Sequence, residues 1–304
     1  MKKFDVIGFG ALNVDKLYKV NRIAGPEEES FIISCEESCG GSAANTIVGL
    51  ARLGCRVGFI GKVADDREGK MLLDDFRKEG VNLKGIIRTK SGRSGTVLGF
   101  VDEKGDRALY VDPGVNDTIE FEEINREYAL KTEFLHFSSF AGERSFETQR
   151  KLAESLPENI KVSMDPGMLY ARIGLEKLGL LFKRIFVFMP NAKEIVLLTG
   201  EENPAEGARK LLKLGVKIVA VKLGSRGCYV TDGKEEHYVE AFKVPVVDTT
   251  GAGDAFCAGF LYGLIHKKSL YDCGRLGNFV ASRCIMKVGA RAGLPRLEDL
   301  KLLF

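Results

Sequence analysis

Asp248-Thr249-Thr250-Gly251-Ala252-Gly253-Asp254 is the stretch of this chain best equipped for chemistry. It follows the apolar run Val244-Pro245-Val246-Val247, read as a strand, and precedes an apolar segment from Phe256 to Ile265 that reads as a helix. Gly251, Ala252 and Gly253 let the backbone turn sharply and aim several N–H groups at one point, where a helix N-terminus adds partial positive charge. Such a turn suits an anion. Asp254 would stand beside it; a carboxylate repels phosphate, but it serves as a base that takes the proton from a hydroxyl attacking the phosphate. A packing turn with Asp as helix cap explains the same residues equally well, so the motif needs partners elsewhere in the chain.

Candidate partners stand just past other apolar runs. Phe4 to Gly10 reads as a buried strand, and Asn13 and Asp15 follow it as short polar groups suited to gripping hydroxyls. Gly8-Phe9-Gly10 is not a dinucleotide fingerprint, because Asn13 replaces the third glycine and the residues after it alternate like a strand. Gly40 and Gly41 precede a small-residue helix around Ile47 to Leu53, permit close approach of a ligand, and are followed by Asn45. Asn191 and Glu194, three apart at a helix start, are either ligand groups or a capping box. The strand Ile218 to Leu223 runs into Gly224-Ser225-Arg226-Gly227, a turn with room for a nucleotide or a plain hairpin.

The elements that must position these residues follow a βαβ rhythm. Strands at 56–61, 134–138, 161–165 and 184–189 alternate with helices at 69–79, 122–129 and 146–155, which gives an α/β fold with a mainly parallel sheet. Polar residues cluster past the strand ends, where open α/β sheets bind ligands. The rhythm breaks at Gly95 to Val111, two strands joined by Glu103-Lys104-Gly105-Asp106. With strands near 15–20 and 31–34 they make a small second sheet, read as a lid. A helix around 274–287, the turn Val288 to Gly293 and a short terminal helix close the chain.

Composition narrows the class further. The 304 residues are 45% hydrophobic and 29% charged, with a net charge of +3 and basic and acidic groups interleaved, so neither nucleic acid nor membrane is an expected partner. No apolar run approaches the ~20 residues of a membrane span, and Met1-Lys2-Lys3 leads directly into the first strand, so the expected location is the cytoplasm. Seven scattered cysteines and three distant histidines suggest reduced thiols and no zinc site.

Gly40-Gly41-Ser42-Ala43-Ala44-Asn45, Asn191-Ala192-Lys193-Glu194, Lys222-Leu223-Gly224-Ser225-Arg226-Gly227 and the Asp248 to Asp254 stretch occur in an order that resembles the ribokinase-like, or PfkB, carbohydrate kinases over essentially the full length. The resemblance implies a three-layer α/β sandwich over 1–304, with a β lid from about 12–38 and 92–114. It implies ATP-dependent phosphorylation of a hydroxymethyl group, with ATP and Mg2+ as cofactors. Asp254 matches the family's general base and Gly251 to Asp254 its anion hole. Asn13, Asp15, Gly40, Gly41 and Asn45 match sugar-binding positions. Asn191, Lys222, Gly224, Ser225, Gly227 and Asn278 match nucleotide-binding ones, and Glu194 resembles the glutamate of the magnesium and phosphate shell. A monovalent cation such as K+ would use Asp248, Thr250, Cys284, Gly289 and Gly293.

The expected substrate is a ribose- or fructose-like sugar. A nucleoside is the alternative, followed by a phosphosugar or 2-keto-3-deoxygluconate. The lid edge implies a homodimer. Two other classes are weighed: a nucleotide-binding regulatory protein, against which Asp254 counts, and a dinucleotide oxidoreductase, against which Asn13 counts.

Overall fold

The computed structural model describes residues 3–303; Met1, Lys2 and Phe304 lie outside it, and with them the start of the Met1-Lys2-Lys3 run. Strands β1 (Phe4–Phe9), β4 (Val57–Ala64), β5 (Asn82–Thr89), β8 (Thr132–Ser138), β9 (Lys161–Asp165), β10 (Ile185–Phe188), β11 (Ile218–Lys222), β12 (Cys228–Thr231) and β13 (Glu236–Val239) form a nine-stranded sheet. Its order is β13-β12-β11-β10-β9-β8-β1-β4-β5, parallel from β11 to β5 and antiparallel only at β12 and β13. Every residue of β4 is buried, as expected of a parallel strand covered on both faces.

Period-two alternation divides the core. Val6, Phe59, Phe134 and Ala220 face one apolar layer, in which α1 (Ser42–Arg52), α2 (Arg67–Lys78), α8 (Ala252–Ile265) and α9 (Leu270–Cys284) are packed. Ile7, Ile60, Leu135 and Val219 face the other, covered by α3 (Arg126–Ala129), α4 (Glu143–Ser155), α5 (Gly167–Phe182), α6 (Ala192–Thr199) and α7 (Pro204–Lys213). The result is the three-layer α/β sandwich expected from the sequence.

The second sheet is also where the patterning put it. β2 (Asn13–Val20), β3 (Ile32–Gly40), β6 (Gly95–Val101) and β7 (Arg107–Asp112) pair in the order β3-β2-β6-β7. β2 follows β1 directly, which explains why the glycine pattern at its start opens no helix. Tyr18, Phe100 and Tyr110 form an aromatic ladder across three of these strands, so Phe100 and Tyr110 pack within the second sheet. Lys16 reaches Glu68 of α2 at 2.7 Å and Arg67 of α2 pairs with Glu37, tying the sheet to the body.

Several boundaries differ from the sequence reading. The run before Asp248 is not a strand: residues 240–250 lie outside both sheets, Pro245 has no N–H to give a ladder, and Val246 and Val247 are about 60% exposed. The amides of Val247 and Asp248 instead share the carbonyl of Ile285. Helix α1 begins at Ser42, so the small residues before Ile47 form its first turns. The 122–129 helix is only α3, preceded by a 3-10 turn, and the last long helix spans Leu270–Cys284 rather than 274–287. β5, α5, α7 and β13 are elements the sequence reading does not place, although α7 is amphipathic with Pro204 in its first turn; α5 is bent at Gly174, where φ is 83°.

Candidate active site

Gly251 holds φ 76°, and a Cβ there would fall 2.5 Å from that of Ala290, so the turn into α8 accepts only glycine. The amide of Ala252 bonds back to the carbonyl of Thr249 at 3.2 Å. Among the described residues the amides of Gly251, Gly253 and Asp254 make no such bond, so these three, rather than the whole run, are available to meet an anion.

Asp254, in the first turn of α8, is gripped by the first turn of α1. Ser42 donates its hydroxyl to Oδ1 at 2.5 Å and Asn45 donates Nδ2 to Oδ2 at 2.8 Å. Thr46 donates to the backbone carbonyl of Asp254 at 3.2 Å. Burial pushes the Asp254 carboxyl up to about 6, opposed by the Ser42 and Asn45 donors and assisted by the nearby Asp165 charge. A carboxylate set near neutrality is ionised at pH 7 yet basic enough to accept a proton.

The hydroxyl-binding candidates line one side of an open cleft of about 1270 Å³, which takes in Asn13, Asp15, Gly41, Ser42 and Arg291. Asn13 is oriented by Asn116, whose Nδ2 donates to its Oδ1 at 3.0 Å. Gly40 lies under Asp15: a Cβ there would fall 2.2 Å from Oδ2 of that residue. Burial pushes Asp15 up to about 6, with the Arg291 charge opposing. Asn45 departs from the expectation that it faces a ligand, because it is buried and both ends of its amide are engaged, Nδ2 by Asp254 and Oδ1 by Arg291 at 2.7 Å.

On the other side of Asp254, the ends of β9, β10 and β11 bring Asp165, Asn191 and Lys222 together. Lys222 Nζ lies 2.5 Å from Asp165 Oδ2, and a Cβ on Gly253 would sit 3.3 Å from that nitrogen. Burial works against the Lys222 charge, but Asp165 outweighs it and pushes the lysine pKa up. Asn191 caps α6 by accepting from the Lys193 and Glu194 amides, and Glu194 accepts from Asn191 N and Nδ2, both at 2.7 Å. The capping box is therefore real, and it holds Glu194 against the Asp165–Lys222 pair; burial and then the Asp165 charge push its carboxyl up to about 7.

Gly224 and Ser225 are exposed in a 3-10 turn, and Gly227 (φ 86°) packs against β13 where a Cβ would fall 1.9 Å from the Val239 carbonyl. Asn278 donates to the carbonyls of Val239 and Glu240, so its amide pins the chain leaving β13. A smaller cavity of about 600 Å³, lined by Tyr238, Phe242, Tyr271 and Arg275, opens beside it.

The cation candidates converge at one loop junction. Asp248 accepts from the Thr250 amide and hydroxyl and, at 2.8 Å, from the Gly289 amide; these donors hold its carboxyl below the usual range although burial acts the other way. Cys284 Sγ lies 3.7 Å from the Thr250 carbonyl and 3.3 Å from that of Ala290, and Gly293 packs on the Cys284 carbonyl. No cluster of three or more His, Cys, Asp or Glu that could hold a metal exists among the described residues, so an ion here would rest mainly on backbone oxygens.

Three residues in this assembly carried no usable sequence signal: Ser42, Asp165 and Arg291. Ser42 lies inside a motif whose neighbours drew attention, Asp165 reads as a strand stop before Pro166-Gly167, and Arg291 as a member of the turn from Val288 to Gly293.

Comparison with known proteins follows the same lines. Residues 4–297 match the model of the pfkB family carbohydrate kinases. An Archaeoglobus fulgidus protein described as an uncharacterized sugar kinase is 49% identical over 83% of this chain and 100% of its own. An ATP-dependent ribose-1-phosphate kinase of Halopiger xanaduensis is 32% identical over 84% and 83% of the two chains. The crystal structure of a Thermotoga maritima ribokinase superimposes with a TM-score of 0.88 at 28% identity, covering 98% of each chain.

Proposed function

The chain belongs to the pfkB family of carbohydrate kinases, and on that premise we propose that it transfers the γ-phosphoryl group of ATP to a hydroxymethyl group of a sugar, with Asp254 as general base. The observation that carries this reading is the position of Asp254: its carboxylate is hydrogen-bonded to Ser42, which lines the cleft with Asn13 and Asp15, and it directly follows Gly253, beside which Lys222 Nζ lies. Asn13 and Asp15 orient the acceptor sugar. Asp254 takes the proton from its hydroxyl, and the amides of Gly251, Gly253 and Asp254 stabilise the charge on the transferring phosphoryl. Gly224, Ser225, Gly227 and Asn278 shape the nucleotide side.

Magnesium fits a nucleotide-borne ion better than a protein cage, with Asp165 and Glu194 the carboxylates beside the phosphate position; it would neutralise phosphate charge there. The carbonyls around Cys284, with Asp248, fit a monovalent cation that braces the anion-binding turn. The lid excludes water when it closes. The exposed Ile32 and Ile33 on edge strand β3, with Phe31 just before it, support pairing of two lids in a homodimer. No described helix is long and apolar enough to cross a membrane.

A neutral, ribose- or fructose-like sugar is the first choice, because Asp15 and Glu36, which have no ion-pair partner among the described residues, line the cleft and repel an anionic substrate. A phosphosugar is the second reading: Lys78 and Arg107 also line the cleft, are exposed and have no ion-pair partner among the described residues. The relative named as a ribose-1-phosphate kinase makes that compound an obvious candidate. The test is ADP release from Mg-ATP across neutral sugars, nucleosides, ribose 1-phosphate and 2-keto-3-deoxygluconate. Stimulation by a sugar that Asp254→Asn abolishes is the expected result; a panel with no stimulation would overturn the reading.

A further inference from the structure

Arg291 has no part in the chemistry described so far, yet its side chain is nine-tenths buried beside the base. Its Nε donates to Asn45 Oδ1 at 2.7 Å, and one terminal nitrogen pairs with Asp75 of α2. Its other terminal nitrogen, Nη2, is buried without a partner. The backbone is held separately, because Arg52 donates to the Arg291 carbonyl at 2.6 Å while forking onto Glu79. The guanidinium is thus fixed from two directions.

Asn45 links this cation to the base, hydrogen-bonded to both. An asparagine amide has a donor end and an acceptor end, and nothing in its own shape decides which way it points. Here its neighbours decide: a guanidinium can only donate and an ionised carboxylate can only accept. The oxygen therefore faces Arg291 and the nitrogen faces Asp254. Without Arg291 the carboxylate still calls for the nitrogen end, but the amide oxygen loses its charged donor and the side chain one of its two anchors, so the bond to Asp254 is held less firmly.

We propose that Arg291 is a positioning residue that locks the Asn45 amide and, through it, holds the Asp254 carboxylate in place for proton abstraction. Its catalytic meaning rests on the base assignment above; the relay itself does not. Helix α2 supplies Asp75 at one end and the lid anchors Arg67 and Glu68 at the other, so one element supports both the relay and the lid.

The experiment needs neither ATP nor sugar. In 15N-labelled protein, hydrogen exchange of the Asn45 side-chain amide, assigned with Asn45→Ala, is compared in the wild type, Arg291→Met, Arg291→Lys and Arg52→Met. The Nδ2 proton on Asp254 should exchange at least about tenfold faster in Arg291→Met, the factor that one charge-assisted hydrogen bond carries. Arg291→Lys, which keeps a charged donor, recovers part of the protection, and Arg52→Met, which loosens the same loop without touching Asn45, keeps it. If Arg291→Met fails to fold, Arg291→Gln takes its place with the same reading. Wild-type protection in the Arg291 variants, or an equal loss in Arg52→Met, would overturn the relay, whatever the fate of the kinase assignment.

Discussion

Ser42, the first residue of α1, donates its hydroxyl to Asp254 of α8 at 2.5 Å across 212 positions of sequence. The two glycine motifs at opposite ends of the chain thus meet helix start to helix start. The Asp254 carboxylate is held by the motif that also borders Asn13 and Asp15 in the cleft.

Asp254→Asn should lower sugar-dependent turnover by about 10²- to 10⁴-fold, the usual worth of a general base. In the wild type, kcat/KM should fall as pH drops through about 6, the value to which burial raises this carboxyl. Because the folded-state pKa lies above the ordinary 3.8, the ionised form weakens the fold above pH 6, and that penalty fades as the pH falls toward 4. The variant should therefore melt no lower than the wild type at pH 8. An inactive variant that also melts well below the wild type at that pH would mean its activity loss says nothing about proton transfer.

Lys222→Met leaves Asp165 buried without its partner and should destabilise the protein by about 3–5 kcal/mol. The double variant Asp165→Asn/Lys222→Met should regain much of that stability in denaturant unfolding while ADP release stays lost. Recovery of both together would argue against a nucleotide role for the lysine.

Gly40→Ala places a methyl group against the Asp15 carboxylate, where only 2.2 Å is available to Oδ2. Displacing a substrate-positioning group by this much costs about 10²-fold in kcat/KM for the sugar. KM for ATP should change little. Steady-state kinetics with each substrate varied in turn separates the two.

Replacing K+ by N-methylglucamine should reduce kcat several-fold. Gly293→Ala should remove the dependence, since its Cβ would fall 2.4 Å from the Cys284 carbonyl and displace one of the oxygens assigned to the ion. Equal rates in both salts would remove the cation from the scheme.

Phe31, 76% exposed immediately before edge strand β3, is the residue to test for lid pairing. Sedimentation should show a dimer for the wild type and a monomer for Phe31→Asp, with the circular dichroism spectrum unchanged. A wild-type monomer at micromolar concentration would refute the pairing.

Much of the architecture could be read before any coordinates, for a local reason. Alternating apolar runs and glycine punctuation report which faces are buried and where the chain turns, and both are properties of neighbouring residues. The run at 244–247 misled for a physical reason as well: it is apolar like a core strand, but Pro245 and the absence of a pairing partner leave it on the surface.

The sequence by itself determined the α/β alternation, the small second sheet and the glycine turn at Gly251, and it singled out Asp254 as the candidate base. Only the tertiary structure decided what surrounds that base. Asp165 meets Lys222 across 57 positions, Asn45 meets Asp254 across 209, and Arg291 meets Asn45 across 246. A carboxylate's basicity and orientation depend on the charges and donors within a few ångströms, and no spacing along the chain records those distances.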